Sequence, residues 1–459
     1  MDYSGREAIV LGLGLTGLSL ARHLKAHGAT VRVADTRASP PFAQRLATTL
    51  PGVPLTTGPL AASMFAGVDL VAISPGVAKN HPAITDAVAN GAELVGDIEL
   101  YARMLPPGQK VLAITGSNGK STVTALTGAL CRAAGLSTVV AGNIGDAVLD
   151  TLNGSDAAWP DVVVLELSSF QLETTSSLDA TAAAVLNVTD NHLDRYAGID
   201  DYAAAKARIF LGGGAQVLNR DDPRSLAMRI AGRLIQTFGD GVPESEEAWG
   251  LVDRSQGDRP PKTWLARGGG LLAPLSDLRL VGRHNALNAL AALALASAVV
   301  KIDRKVLTAL TEFNGLPHRM QKIAEMGDIL FVDDSKGTTV AATRVALEGL
   351  GRPVVLIAGG DGKGQDFAPL RDVVAAHCRA VLLIGRDAPA IERALSGTPV
   401  TVEQSGTLEK AVARAIGIAK PGDAVVLSPA CASLDQFANY IERGERYVRR
   451  VYEELAAHA

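Results

Sequence analysis

A glycine-rich segment at residues 113–122, Ala-Ile-Thr-Gly-Ser-Asn-Gly-Lys-Ser-Thr, carries the residue types that bind a polyphosphate. Gly116 and Gly119 allow backbone N–H groups to close around phosphate oxygens, helped by the positive end of a following helix. Lys120 can reach the β- and γ-phosphates, and the hydroxyl of Ser121 can bind the accompanying magnesium ion. The spacing is the short G-x-x-G-K-S form, with Ile114 where the longer phosphate loop has a glycine. The segment predicts ATP binding.

A carboxylate at the end of an apolar run supplies a candidate magnesium ligand. Residues 161–166 read Asp-Val-Val-Val-Leu-Glu, and Glu166 closes the run. Nucleotide enzymes place a metal-binding acid at such a strand end. His192 follows the next apolar strand, which is predicted from Ala182 to Val188; the alternative is a capped loop histidine without a ligand.

A second glycine pattern lies near the N-terminus. Gly12-Leu-Gly-Leu-Thr-Gly17 follows an apolar strand, and Asp35 stands about twenty residues after it, which is the dinucleotide fingerprint. A tight strand–helix turn without a ligand would look the same. The pattern does not distinguish NAD from another nucleotide that carries a pyrophosphate.

These segments need parallel strands to position them, and the apolar pattern predicts three consecutive α/β blocks. The fold class is therefore α/β with three domains: a Rossmann-like N-terminal domain (1–98), a central phosphate-loop ATPase domain with a mostly parallel sheet (99–315) and a Rossmann-like C-terminal domain (316–459). Residues 239–261, rich in Gly and Pro, are predicted to form a surface insertion. In each block polar residues gather after the strands, where parallel sheets place their functional groups.

Composition excludes several classes of protein. The chain has 459 residues and a net charge of −4, which argues against a nucleic-acid protein with a basic face. Cys131, Cys378 and Cys431 form no disulfide or metal pattern, as expected in a reducing compartment. No leader sequence and no apolar run long enough for a bilayer is visible. We expect a soluble cytoplasmic protein that binds neither nucleic acid nor membrane.

Taken together, five ordered motifs resemble the Mur ligases of peptidoglycan synthesis, and within them the branch that adds D-glutamate. The resemblance covers almost the whole chain. The motifs that carry it are Gly-Leu-Gly-Leu-Thr-Gly (12–17), Thr-Gly-Ser-Asn-Gly-Lys-Ser-Thr (115–122), Leu-Glu-Leu-Ser-Ser-Phe-Gln-Leu-Glu (165–173), Gly-Leu-Pro-His-Arg (315–319) and Leu-Ser-Pro-Ala-Cys-Ala-Ser-Leu-Asp-Gln-Phe (427–437).

The resemblance implies a reaction and a role for each domain. The N-terminal domain would bind the UDP-sugar rather than NAD, the central domain ATP, and the C-terminal domain would close over both. The carboxylate of UDP-N-acetylmuramoyl-L-alanine would attack ATP to give an acyl phosphate. The amino group of D-glutamate would then form the amide, releasing phosphate, with ADP as the other product. The enzyme is expected to be a monomer.

The resemblance also assigns roles to residues of this sequence. Catalytic roles fall on Lys120, His192, Lys206 and Lys336. ATP binding falls on Gly116, Ser117, Asn118, Gly119, Lys120, Ser121, Thr122, Asn288, Arg319 and Asp334. Binding of the UDP-substrate falls on Leu15, Thr16, Asp35, Thr36, Arg37, Ser74 and Asn143. D-Glutamate binding falls on Thr338, Lys363, Ser433, Leu434 and Tyr440.

Two magnesium sites are implied. Ser121 and Glu166 resemble ligands of the first, and His192 and Lys206 those of the second. An ammonium cannot bind a cation, and the family solves this by carbamylating the lysine with carbon dioxide. By itself, Lys206 would be predicted to be an exposed helix lysine. Cys431 is interpreted as a pocket-wall residue, because acyl transfer through a phosphate needs no thiol.

Three other functional interpretations compete with a D-glutamate-adding Mur ligase. An NAD(P)-dependent oxidoreductase would use Gly12–Gly17 and Asp35 but would leave the phosphate loop and the C-terminal block unexplained. A non-catalytic nucleotide-binding protein would be expected to have lost the metal ligands, which are present. A sister ligase for another amino acid, or a folate-type glutamate ligase, would differ around Ser433 and in the N-terminal fingerprint.

Overall fold

The computed structural model describes residues 1–152, 158–189, 195–256 and 259–458. Contacts between residues divide the chain into two compact units. The first comprises residues 1–251, 266–270 and 290–307, and the second comprises residues 252–265, 271–289 and 308–459. In the described part of the chain no helix is both long and apolar enough to cross a membrane.

The N-terminal sheet of the first unit has five strands in the order β3-β2-β1-β4-β5, all parallel. This is the Rossmann strand order, as the sequence predicted. Apolar side chains bury both faces of its central strands. The elements are β1 (Glu7–Leu11), α1 (Leu15–Ala26), β2 (Thr30–Asp35), α2 (Ala43–Thr49), β3 (Leu55–Thr57), β4 (Leu70–Ile73), α3 (Pro82–Ala89), β5 (Glu93–Val95) and α4 (Asp97–Met104).

The second sheet of this unit is parallel in the order β11-β10-β9-β6-β8-β7. The elements of this part of the chain are β6 (Lys110–Thr115), α5 (Lys120–Ala133), β7 (Thr138–Gly142), β8 (Val162–Glu166), α6 (Ser169–Leu172), β9 (Ala182–Val185), α7 (Ile199–Ala207), β10 (Ala215–Asn219), α8 (Pro223–Ala227), β11 (Ile235–Phe238), β12 (Ala248–Gln256), β13 (Arg259–Arg267), β14 (Gly270–Pro274), α9 (Arg283–Ala296) and α10 (Arg304–Glu312).

The predicted surface insertion is wrong in part. Most of its second half forms β12 and the start of β13, and β12 pairs with β11 through Ala248 and Trp249. Trp249 is fully buried, and its indole N–H donates to Gln236 at 2.7 Å. The glycine and proline content of the flanking turns led to the prediction of a surface insertion. The alternating apolar residues Trp249 and Leu251 are the pattern that indicates a strand.

The six-stranded sheet of the second unit has the order β15-β16-β20-β17-β18-β19, with only β15 antiparallel to its neighbour. Its parallel strands alternate with helices, as expected for the α/β block that the sequence predicted here. Its elements are β15 (Gln321–Met326), β16 (Ile329–Asp333), α11 (Val340–Gly349), β17 (Val354–Gly359), α12 (Leu370–His377), β18 (Cys378–Ile384), α13 (Ala388–Ala394), β19 (Thr401–Gly406), α14 (Leu408–Ile418), β20 (Ala424–Leu427) and α15 (Tyr440–His458).

Candidate active site

The phosphate loop joins β6 to α5 at the carboxyl edge of its sheet. Gly119 has φ +83° and Gly116 has φ +156°, conformations that favour glycine. A Cβ on Gly116 would lie 3.0 Å from the Cβ of Leu186, so the loop packs closely on the residues after β9. Strand, glycine turn and helix therefore follow one another as the sequence predicted.

Asn187 holds this loop from the neighbouring strand. The Ser117 N–H donates to the Asn187 carbonyl at 2.9 Å, and the Asn118 N–H donates to Asn187 Oδ1 at 2.8 Å. Asn187 Nδ2 donates back to the Asn118 carbonyl at 3.2 Å. Because these two loop N–H groups are engaged, the first turn of α5 carries the donors that can face a phosphate. Sequence reasoning gave Asn187 no role, although a polar residue just beyond an apolar strand was a usable signal.

Two lysines share one carbonyl oxygen of the loop. Lys120 Nζ donates to the carbonyls of Gly116 at 2.7 Å and Ser117 at 2.9 Å, and Lys206 Nζ donates to the Gly116 carbonyl at 3.0 Å. Lys206 is 1% exposed and its ammonium lies 4.3 Å from the centre of the Tyr202 ring. Burial first, and then the charge of Lys120, lower the pKa of Lys206 to about 6.

The burial of Lys206 corrects the expectation from its helix position alone. Tyr202, Ala205 and Lys206 form the buried face of α7, so the lysine points inward with the apolar residues rather than outward. Lys206 is the one charged residue on the buried face of this short helix. The amino-acid types of the helix do not indicate that a lysine lies on that face.

Glu166 lies at the end of β8, beside β6, in register with Ile114. It is 1% exposed. Its Oε1 accepts a hydrogen bond from Asn143 Nδ2 at 2.8 Å, and within the described residues its Oε2 has no hydrogen-bond partner. A buried carboxylate oxygen without a donor fits a magnesium ligand. Ser121, buried in the first turn of α5, follows the loop at the same edge of the sheet. His192 lies outside the residues that the structure describes.

The N-terminal glycine turn is held closed by Asp35 and Ser74. Asp35 is 2% exposed and accepts from the Leu13 N–H at 2.6 Å and from Arg37 Nη2 at 2.6 Å. Hydrogen bonds, first from the Arg37 side chain, lower the pKa of Asp35 to about 2. Ser74 Oγ donates to the Gly12 carbonyl at 2.8 Å. The two residues thus shape the turn.

The other residues predicted to bind the UDP-substrate surround that turn or lie at the first magnesium ligand. Leu15, Thr36 and Arg37 are exposed, and Thr16 is half-buried. Asn143 contacts Glu166 rather than the turn, at the carboxyl edge of the second sheet. The exposed side chains at the carboxyl ends of β1 and β2 can meet a ligand there.

In the second unit, Asp334 and Lys336 follow β16. Asp334 accepts from the Met320 N–H at 3.2 Å and from Ser428 Oγ at 2.7 Å, and burial raises the pKa of its carboxyl to about 7. Lys336 Nζ lies 3.9 Å from the centre of the Tyr440 ring. The structure thus brings Lys336, assigned to the acyl phosphate, next to Tyr440, assigned to D-glutamate.

Two other residues assigned to ATP also lie in the second unit. Arg319 is half-buried and follows His318, which has φ +63° and contacts Asp333 Oδ2 through Nδ1 at 2.7 Å. Asn288 Nδ2 donates to Asn285 Oδ1 at 2.9 Å. Asn285 lies in the first turn of α9, and its Nδ2 donates to the Val281 carbonyl at 2.7 Å.

Arg443 is a buried residue that sequence reasoning missed. It is fully buried on α15, and its guanidinium donates to Ser335 Oγ at 3.0 Å, to the Ser335 carbonyl at 2.8 Å and to the Cys431 carbonyl at 3.1 Å. It therefore ties the loop after β16 to the loop after β20. Nothing in a helix rich in Arg and Glu distinguishes it from its exposed neighbours.

The residues assigned to D-glutamate lie on three loops and on α15. Ser433 is buried and Leu434 is exposed after β20, Thr338 follows β16, and Lys363, with φ +49°, follows β17. A non-glycine residue in the left-handed region stores backbone strain, which is typical of functional positions. Burial raises the pKa of the Cys431 thiol to about 12, which agrees with its interpretation as a wall residue.

Comparison with known proteins finds Mur ligase domains in the N-terminal, middle and C-terminal parts of the chain. The family model "Mur ligase MurD-like, N-terminal domain" matches residues 6–96, "Mur ligase middle domain" matches 114–296, and "Mur ligase, glutamate ligase domain" matches 318–431.

Two relatives are close in sequence. The UDP-N-acetylmuramoylalanine–D-glutamate ligase of Thiobacillus denitrificans is 54% identical over 474 residues, covering 100% of this chain and 98% of the relative. The protein of the same name from Nitrosospira multiformis is 51% identical over 467 residues, with the same coverage.

A solved structure shows the same fold. The MurF ligase from Thermotoga maritima in complex with ADP superimposes with a TM-score of 0.60, at 16% identity, over 99% of this chain and 96% of that one. Since three family models follow one another along the chain and relatives above 50% identity span all of it, the chain belongs to the Mur ligase family.

Proposed function

We propose that the chain is an ATP-dependent ligase that joins D-glutamate to UDP-N-acetylmuramoyl-L-alanine in peptidoglycan synthesis. The names of the two relatives support the substrates. The observation that carries the chemistry is the phosphate loop beside Glu166, whose buried Oε2 has no partner within the described residues. A buried anion next to a polyphosphate site is suited to a magnesium–nucleotide complex.

The reaction has two steps. A carboxylate oxygen of the muramoyl-alanine attacks the γ-phosphorus of ATP, the bond to the β-phosphate oxygen breaks, and ADP leaves. The D-glutamate nitrogen then attacks the acyl carbon, phosphate leaves with the electron pair of the broken C–O bond, and the nitrogen loses a proton. The first step brings two anions together, so fixed positive charge must lie at the transferring group. Lys120, Arg319 and Lys336 would supply it from this chain.

Ser121 and Glu166 would hold the first magnesium ion, and His192 and Lys206 the second. Magnesium neutralises developing phosphate charge when bound. Lys206 would serve as a carbamate: its neutral amine adds to carbon dioxide, forming an N–C bond and releasing one proton. Its burial and lowered pKa support this, because the neutral amine is the reactive form.

The remaining roles follow the family assignment. Asn288 and Asp334 would contact ATP, the latter at the ribose. The UDP-substrate would be bound by residues around the N-terminal glycine turn and by one residue of the second sheet: Leu15, Thr16, Asp35, Thr36, Arg37, Ser74 and Asn143. Thr338, Lys363, Ser433, the backbone at Leu434 and Tyr440 would bind D-glutamate.

We also propose three functional domains. Residues 1–98 would bind the UDP-sugar and residues 99–315 would bind ATP. Residues 316–459 would bind D-glutamate and close over the ATP. The three family models support this order. We further propose that the enzyme works as a monomer in the cytoplasm. The free state of its three cysteines is compatible with a reducing compartment.

Phosphate release tests the proposal. The enzyme is mixed with ATP, magnesium and UDP-N-acetylmuramoyl-L-alanine, and D-glutamate is compared with L-glutamate, other amino acids and no amine. Release that depends on D-glutamate supports the ligase. Turnover only with a different amine would assign the chain to a sister ligase, and no turnover with any amine would contradict the proposal.

A further inference from the structure

Three loops of the second unit converge at one edge of its sheet. Loop A (334–340) follows β16, loop B (360–365) follows β17, and loop C (428–434) follows β20. In the sheet β20 lies between β16 and β17, so the carboxyl ends of these parallel strands are adjacent. The loops carry the residues assigned above to D-glutamate, apart from Tyr440.

The side-chain amide of Gln365 contacts all three loops. Its Oε1 accepts from the Val340 N–H of loop A at 3.2 Å. Its Nε2 lies 3.4 Å from the Thr338 carbonyl of loop A, 3.1 Å from the Gly362 carbonyl of loop B and 3.3 Å from the Ala430 carbonyl of loop C. The amide is part-buried at their junction.

Backbone hydrogen bonds tie loop C to each of the others. The Ala430 N–H donates to the Gly337 carbonyl of loop A at 2.9 Å. Asp361 and Ala432 exchange two hydrogen bonds, each of 2.9 Å, between loops B and C. Within the described part of the chain, the direct hydrogen bonds between loops A and B all involve Gln365. Gln365 therefore supplies the direct link between loops A and B, in addition to the backbone link that each makes to loop C.

We infer that Gln365 is a positioning residue for the amino-acid substrate, setting Thr338 of loop A against Lys363 of loop B. This inference rests on the proposed function. D-Glutamate carries two carboxylates and an amine, so its recognition depends on the distance between donors on different loops. Lys363 sits in a turn closed by the Gln365 N–H donating to the Gly362 carbonyl at 3.0 Å. The same residue therefore shapes the turn and links it to loop A.

The hydrogen-bond partners at residue 365 require a side-chain amide. One end must donate to backbone carbonyls and the other must accept from an N–H, which a glutamine side chain does and a carboxylate does not. Gln365→Glu keeps the length but sets a negative charge among three carbonyl oxygens. It is expected to disturb the loops more than Gln365→Ala does, because it adds repulsion to the lost hydrogen bonds.

Steady-state kinetics of the full-length enzyme tests the inference. We expect Gln365→Ala to raise the KM for D-glutamate about tenfold, the equivalent of about 1.4 kcal/mol, and Gln365→Glu to raise it further, since both variants lose hydrogen bonds between loops. The KM for ATP should change less than about threefold, because Asp334 is fixed separately by Ser428 and Met320. Gln404→Ala is the matched control: Gln404 Nε2 donates to Glu392, away from the three loops.

Three outcomes separate the inference from the proposed function. Wild-type enzyme that does not turn over D-glutamate overturns the function. Wild-type turnover with an unchanged KM for D-glutamate in both Gln365 variants overturns the inference alone, as does an equal rise in all three substrate KM values. Hydrogen exchange without ligands gives an independent reading: in Gln365→Ala, amides of 337–340 and 362–365 should exchange faster than in Gln404→Ala.

Discussion

Replacing Glu166 by glutamine is expected to separate stability from activity. Glu166 is buried, accepts one hydrogen bond from Asn143 on Oε1, and has an Oε2 without a partner within the described residues. Glutamine can keep the bond to Asn143 and removes the buried charge. In magnesium-free buffer the variant should therefore melt at the same temperature as the wild type or above it.

In the glutamine variant the atom that replaces Oε2 is still unpartnered, so the gain is the extra cost of an unsatisfied charged group over an unsatisfied neutral one, about 1 kcal/mol. For a unit of this size, 1 kcal/mol moves the melting temperature by about 2–4 °C, so an increase of a few degrees is expected. Phosphate release should fall at least about 100-fold, because a charge that holds the metal at the transferring phosphate is lost. Differential scanning calorimetry and the phosphate assay measure the two effects on the same preparation.

Glu99→Gln is the matched control in the same unit. Glu99 is equally buried, but it accepts from the N–H groups of Ser176 at 2.7 Å and Ser177 at 2.9 Å and from Arg103 Nε at 2.8 Å. Burial alone would raise the pKa of Glu99, yet these hydrogen bonds lower it from 4.5 to about 2. The difference corresponds to roughly 3 kcal/mol as an upper limit, and Glu99→Gln should lower the melting temperature accordingly.

The pH dependence of this control is fixed in sign. A carboxyl with a lowered folded-state pKa stabilises the fold fully above its unfolded value near 4.5, and this stabilisation is lost as pH falls towards 2. The stability difference between wild type and Glu99→Gln should therefore shrink across that range. If Glu166→Gln destabilises the unit as much as Glu99→Gln does, Glu166 is a structural carboxylate and the metal role is refuted.

Three further predictions concern the other parts of the site. Lys206→Ala should abolish phosphate release, with no recovery in excess bicarbonate and partial recovery with a short carboxylic acid; full activity would rule out the second-metal role. Asn187→Ala should raise the KM for ATP about 5–30-fold, the equivalent of 1–2 kcal/mol, while melting temperature changes little; an unchanged KM would contradict its place in the loop. Gly17→Ala puts a Cβ 1.8 Å from the Gly12 carbonyl oxygen and should lower the melting temperature, whereas Gly14→Ala meets no atom within 4 Å and should not; equal behaviour in the melting assay would refute the steric argument.

Strands buried on both faces could be predicted from the sequence because their apolar runs are continuous. The apolar runs at 70–73 and 424–427 form β4 and β20 over their whole lengths. The strands β3, β5, β15 and β19 contain polar or charged residues and no run of four apolar ones, so the sequence does not predict them. The strand predicted to Val188 ends at Val185, because the next residues turn towards the phosphate loop.

Site residues could be predicted where they belong to a short sequence pattern with a known chemical role. Lys120 and Glu166 belong to local patterns, and the structure places both at one sheet edge. Gln365 and Arg443 act through backbone groups distant in sequence, so no local pattern marks them, whereas Asn187 is marked only by its place just beyond an apolar strand. The burial of Lys206 depends on which face of α7 packs inward, which is a tertiary property.

The carbonyl oxygen of Gly116 accepts from both Lys120 and Lys206. A nucleotide that draws Lys120 onto its phosphates leaves this oxygen to Lys206 and moves the Lys120 ammonium away from the Lys206 nitrogen. If the nucleotide binds more tightly to one form of Lys206, amine or carbamate, the difference in binding free energy is a coupling free energy between the two sites. Such couplings are reciprocal. The form of Lys206 that binds nucleotide more tightly must itself be favoured by bound nucleotide, by the same factor. One backbone oxygen thereby makes nucleotide binding at the phosphate loop and the chemical form of Lys206 thermodynamically dependent on each other.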